Sequence, residues 1–163
     1  MADTYTQLYV QLVFSVKGRN ALIPKQHKEE IHKYITGVIQ KRRHKLIAIN
    51  AMRDHIHIFI GINPSQSISD LVNNIKTAST KYIKKQPWMR YNFEWQNGYG
   101  AFSYSRSHID SVVKYIENQE QNHQKRTFRD EYLDFLKMFD IEYKDEYLFE
   151  FYDDLYDLYD LKK

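Results

Sequence analysis

The chain of 163 residues contains no cysteine. That absence excludes disulfides, thiolate metal ligands and cysteine nucleophiles together, so a bound metal must rely on imidazole, carboxylate, amide or water. Long apolar runs are also missing. No stretch approaches the roughly 20 residues needed to span a bilayer, and the start "MADTYTQLYV" lacks the basic region and small-residue cleavage site of a signal peptide. The expectation is a soluble, cytoplasmic protein. No internal repeat or low-complexity linker interrupts the sequence, and the length suits one domain with a single core.

What the chain does have is unevenly placed charge. The formal net charge is only +3, yet residues 140–163 hold nine of the 21 acidic and three of the 24 basic side chains. That end therefore carries −6, and residues 1–139 carry +9. A basic body points to an anionic partner, nucleic acid above all. The expected division is a domain over residues 1–145 and an acidic, tyrosine-rich tail over 146–163, either packed as a helix or partly mobile.

Periodicity supplies the fold. "YTQLYVQLVFSV" alternates with the period of two that suits a strand. Pro24 opens a helix with Ile31, Tyr34, Ile35, Val38 and Ile39 on one side, ended by "KRRHK". "KLIAINAM" and "HIHIFIGI" read as two strands joined tightly through Met52 to Asp54. Ser67 and Asp70 have capping-box spacing ahead of a second helix carrying Ile68, Leu71, Val72, Ile75, Tyr82 and Ile83. "YGAFSYS" is the fourth strand. The order β-α-β-β-α-β is that of an α+β, ferredoxin-like antiparallel sheet, with helices on one face and the other face free. Ser107 and Asp110 then predict a capped helix through residues 108–126, and "TFRDEYLDFLKMF" another.

The stretch "RDHIHIFIGI" sets the chemical question. Residues two apart in a strand point the same way, so His55, His57 and Phe59 share one face and Ile56, Ile58 and Ile60 the other. The isoleucines belong under the helices, which puts both imidazoles on the free face. Their Cα atoms lie roughly 6.5–7 Å apart, so both can reach one divalent ion. A histidine pair on a polar face is by itself more often merely solvated, and a third ligand decides. In the helix from residue 108 the core stripe is Ile109, Val112, Val113 and Ile116, which leaves Tyr115 and Gln119 one turn apart on a flank. An amide oxygen suits Mg²⁺ or Mn²⁺, and a phenol four residues earlier would stand beside the same ion. Among fourteen tyrosines, only that spacing and the upstream histidines single Tyr115 out. His123, two turns on, reads as a solvated surface residue, and His108 as structural.

"HIH" and "YIENQ", about sixty residues apart on this frame, resemble the single-tyrosine HUH transposases of IS200-type insertion sequences. The likeness extends from residue 5 to about 145. It implies a prokaryotic, nucleoid-associated enzyme that cleaves and rejoins single-stranded DNA at hairpin-marked ends through a 5′-phosphotyrosine. It also implies Tyr115 as nucleophile, and His55, His57 and Gln119 as ligands of Mg²⁺ or Mn²⁺. A homodimer is implied too, with the tyrosine helix of one subunit docked on the histidines of the other and with Gly98 and Gly100 as a flexible lead. Arg53 stands where the resemblance leads one to expect proline. DNA contacts are expected from Lys41, Arg42, Arg43, Lys76, Lys81, Lys84, Lys85 and Arg106, and base stacking from Tyr82, Trp88 and Tyr91. The alternatives are a domesticated relative acting on dispersed palindromic repeats, a nicking relaxase or replication initiator with the same chemistry, and a non-catalytic ferredoxin-like single-stranded nucleic-acid-binding module. The last would place stacking aromatics where His55 and His57 stand.

Overall fold

Alternation in two short runs sets the centre of the sheet. In the computed structural model, which describes residues 2–156, strand β1 (Tyr9–Ser15) pairs antiparallel with β3 (His55–Gly61), so that Leu12 faces Ile58 and Val13 faces His57. Strand β2 (Lys45–Ala51) flanks β3, and β4 (Gly100–Tyr104) flanks β1, giving the order β2-β3-β1-β4. The tight β2–β3 link closes through a 2.8 Å hydrogen bond from Met52 N to His55 O.

Helix α1 (Lys28–Lys41) and helix α2 (Ile68–Lys84) cover the isoleucine face with Ile31, Ile35, Ile39, Leu71, Val72, Ile75 and Ile83, all buried. A short 3₁₀ turn, Lys25–His27, follows Pro24 before α1 begins. The Ser67 cap forms as its spacing predicts, Asp70 N donating to Ser67 Oγ at 3.1 Å. Among the described residues no helix is long and apolar enough to cross a membrane.

The second face is not free. Helix α3 (Ile109–Glu117), the single turn α4 (Gln119–Asn122) and helix α5 (Phe128–Met138) lie across it. Apolar residues on that face explain the covering. Phe59 and Ala48 pack with Val112 and Ile116 of α3, while Phe102 of β4 stacks on Phe135 of α5 at 4.9 Å between ring centroids.

Three further expectations change. The helix predicted through residues 108–126 breaks at Asn118, so Tyr115 and Gln119 sit on consecutive helical pieces rather than one rigid unit. Ser107 does not cap it; a turn over Arg106–His108 leads in, with Ser105 Oγ 2.8 Å from both Ser107 Oγ and His108 Nδ1. Gly100 is no flexible lead but a strand residue whose added Cβ would meet the Phe102 ring and Tyr132 Oη at 2.9 Å, whereas Gly98 does occupy the left-handed region at φ 86°. Of the tail expected over 146–163, residues 157–163 lie outside those described; within the rest, Phe149, Tyr152 and Tyr156 are buried.

Candidate active site

The site is built on the polar face of β3. His55 and His57 leave that strand on the same side, and Gln11 and Asn50 flank them from β1 and β2. Each imidazole is oriented through its Nδ1. For His55 the partner is Asp54 Oδ1 at 2.8 Å, and for His57 it is Gln11 Oε1 at 2.7 Å. His123, at the end of α4, has Arg126 O at 3.0 Å from its Nδ1. All three Nε2 atoms consequently turn inward, the arrangement in which acceptors behind histidine ligands fix tautomer and ring angle.

What the Nε2 atoms meet is a set of oxygens. Glu131 Oε1, from α5, lies 2.9 Å from His57 Nε2, 3.3 Å from His123 Nε2 and 3.5 Å from His55 Nε2. Gln119 Oε1 lies 3.2 Å from His55 Nε2 and 3.0 Å from His123 Nε2. Gln119 Nε2 donates to Glu131 Oε2 at 2.9 Å, which aims the amide oxygen at the imidazoles. With Nδ1 of each ring against an acceptor, each imidazole that gives up its Nε2 proton would turn a lone pair toward these oxygens, and such a convergence of nitrogen and oxygen donors could hold a cation at its centre. His55, His57 and Glu131 alone bring their ligand atoms within 4.8 Å of one another. This mixture of imidazole, carboxylate and amide is a donor set for a divalent ion, and no thiolate is present to favour softer ions.

Burial and charge oppose each other throughout the cluster. Burial would lift the Glu131 carboxyl, but His57, His123 and His55 outweigh it and hold the group well below the usual carboxylate range. His57 is pushed down by its burial despite Glu131. Burial also works against charge on His55, yet Asp54 and then Glu131 raise it to about 9. Tyr115 Oη donates to Glu131 Oε2 and receives Arg126 Nη2 at 3.0 Å. Its phenol is pushed far up by burial and by the neighbouring carboxylate, against the smaller pull of Arg126.

Of the residues singled out by sequence, His55, His57, Tyr115 and Gln119 therefore meet, and they do so within one chain. His123 is the reverse of a solvated residue: it is 2 % exposed and belongs to the cluster, because α4 turns it inward beside Gln119. Glu131, Arg126 and Tyr156 escaped the sequence reading. Tyr156 donates its hydroxyl proton to Asp54 Oδ1, behind His55. A usable signal existed for Glu131, a charged residue set among Phe128, Tyr132 and Phe135 on the buried side of α5.

The basic residues do not form one surface. Lys41, Arg42 and Arg43 are exposed at the end of α1, while the intervening His44 is buried and holds Asn63 N and Gln66. Lys81 and Lys84 line a cleft of ≈ 790 Å³ with Lys17 and Lys76, and Glu94, Glu146 and Glu150 line the same cleft. Lys76 Nζ is held by Gln96 O at 2.8 Å and Gly98 O at 2.6 Å. Lys85 and Arg106 are exposed elsewhere. Two expected stacking faces are already used, Tyr82 on Tyr34 and Trp88 on His27, both at 4.4 Å between centroids; Tyr91 is exposed.

Comparison with known proteins accords with this frame. Residues 4–119 match the family described as transposase IS200 like. The ISDra2 transposase TnpA of Deinococcus radiodurans is 24% identical over 120 residues, spanning 69% of this chain and 84% of that protein. A crystal structure assigned to a transposase of Deinococcus radiodurans R1 superposes with a TM-score of 0.56 at 22% identity, over 73% of this chain and 95% of the other. A REP-associated tyrosine transposase bound to a REP hairpin superposes with a TM-score of 0.57 at 15% identity, over 76% of this chain and 73% of the other.

Proposed function

This chain belongs to the IS200-like transposase family, and we propose that it cleaves and rejoins single-stranded DNA at hairpin-marked ends, with Tyr115 as nucleophile. The observation that carries the reading is the meeting of a phenol, a histidine pair and an amide oxygen at one buried point. Tyr115 Oη attacks the scissile phosphorus, the bond from phosphorus to the 3′ oxygen breaks, and that oxygen leaves as a 3′-hydroxyl with the proton the phenol gave up. The product is a 5′-phosphotyrosyl link. Because one phosphodiester has replaced another, a different 3′-hydroxyl can attack the link, release Tyr115 and join new ends without a nucleotide cofactor.

His55, His57 and Gln119 would hold Mg²⁺ or Mn²⁺, with His123 as a further donor within reach. Bound there, the ion would polarise a non-bridging phosphate oxygen and offset charge developing on phosphorus. Asp54 and Gln11 fix the two imidazoles from behind. Arg126, 3.0 Å from the phenol oxygen, is placed to stabilise the phenolate as its proton departs. One tyrosine per chain favours a homodimer for the two ends of an element. The cleft lined by Lys17, Lys81 and Lys84 is the favoured track for the DNA backbone.

The test is incubation with single-stranded hairpin DNA and Mn²⁺. A covalent protein–DNA adduct that disappears in Tyr115→Phe supports the reading. Tight binding without adduct under any divalent metal would replace it with a non-catalytic binding module.

A further inference from the structure

The donor cluster is sealed from its substrate. His55, His57, Gln119 and Glu131 have no exposed surface, and Phe128 of α5 lies flat on the His55 ring at 3.9 Å between centroids. A polynucleotide can react only if a phosphorus atom comes between Tyr115 Oη and the imidazoles. That place is filled by the Glu131 carboxylate. Its Oε2 accepts protons from Tyr115 Oη and Gln119 Nε2, and its Oε1 faces the Nε2 atoms of His57, His123 and His55. An anion with one hard oxygen on the metal donors and the other on the nucleophile has the footprint of a bound phosphodiester.

The surroundings of α5 fit a removable cover. A cavity of ≈ 250 Å³ opens between α3 and α5, lined among others by Tyr115, Arg126 and Glu131, so the carboxylate stands between that opening and the imidazoles. The family match ends at residue 119, which leaves α5 laid over a frame that already carries Tyr115 and Gln119. Residues 148–156 clasp the helix from outside. The Phe149 ring lies 6.2 Å from that of Phe128 and 5.0 Å from that of Tyr132 between centroids, and Arg129 Nε donates to Asp153 Oδ2 at 2.8 Å.

The geometry points to Glu131 as a carboxylate gate, which holds the position of the scissile phosphate in the resting chain and yields its contacts to DNA when α5 swings out. The inference rests on the transposase reading and adds a control to it. Gating also accounts for the unactivated state of Tyr115, whose proton is held by the carboxylate that the phosphate must displace.

Hairpin single-stranded DNA and Mn²⁺ are mixed with the wild-type chain, E131Q and Y115F, and the rate of covalent adduct formation is followed. Glu131→Gln keeps the shape and removes the charge, weakening closure by a charge-assisted hydrogen bond, so the adduct forms about tenfold faster than in wild type. A Tyr115-dependent adduct in wild type that slows or vanishes in E131Q overturns the gate alone, because Glu131 would then serve the chemistry. No adduct in either chain overturns the transposase reading and the gate with it. Should E131Q fold poorly, hydrogen exchange on the wild-type chain decides. Amides of α5 must lose protection when the DNA binds while those of α1 do not, and unchanged protection of α5 during adduct formation refutes the gate.

Discussion

The two faces of strand β3 differ in what holds them. On one side Ile56, Ile58 and Ile60 join an apolar core under α1 and α2, where the only requirement is to exclude water and fill space. On the other, His55 and His57 are just as buried, yet each has an acceptor on Nδ1 and oxygens in front of Nε2. Burial on the first face stabilises the protein without specifying chemistry. Burial on the second costs stability unless every polar atom is partnered, and those partners fix the direction of the lone pairs.

Substitutions can break this contrast. The largest effect is expected for His57→Ala, which should lower adduct formation per folded molecule by at least about 100-fold while leaving hairpin binding by the folded chain near wild type; equal loss of binding and cleavage would make the histidine a structural residue. Ile58→Ala, one position away, should do the opposite. A cavity under the helices costs about 2–5 kcal/mol of stability, measured by urea unfolding, with adduct formation per folded molecule unchanged. Tyr156→Phe removes the hydroxyl whose proton Asp54 accepts behind His55, and should cost about 1.5–3 kcal/mol in the same unfolding assay.

The smallest effect concerns a cation at the rim of the apolar face, Lys76, whose Nζ lies 5.3 Å from the centroid of the Phe14 ring. Burial lowers Lys76 to about 8 from an ordinary 10.5. Between those values the unfolded chain keeps a proton that the folded chain has lost, so this residue makes stability rise with pH across that window. At neutral pH the burial of its charge works against folding. Any stability advantage of Lys76→Met over wild type should therefore shrink from pH 7 to pH 10 in parallel denaturation curves, and a constant difference would show that Lys76 titrates normally.

The legible parts of this molecule are those whose cause is local. Alternation fixed β1 and β3, the Ser67 spacing fixed the start of α2, and the family-like pairing of "HIH" with "YIENQ" brought His55, His57, Tyr115 and Gln119 into consideration. Glu131 and Tyr156 reach the same point only because α5 and residues 148–156 fold back over the second face, and no spacing along the chain announces such a return. The covering of that face was foreshadowed more weakly. Phe59 and Phe102 are apolar residues on a side expected to be open, and they needed partners. The break at Asn118 was hidden because Asn118, Gln119 and Glu120 continue the helical pattern by composition, while burial of Gln119 and His123 sets the local turn.

The central claim is that the histidine face gathers one divalent cation beside Tyr115. Calorimetric titration of the chain with Mn²⁺, in the absence of DNA, tests it most directly. The account predicts one ion per chain, with binding lost in His55→Ala and His57→Ala, weakened in Gln119→Ala and unchanged in Ile58→Ala. Mn²⁺ binding that survives His57→Ala intact, or that never occurs in the wild-type chain, would contradict it.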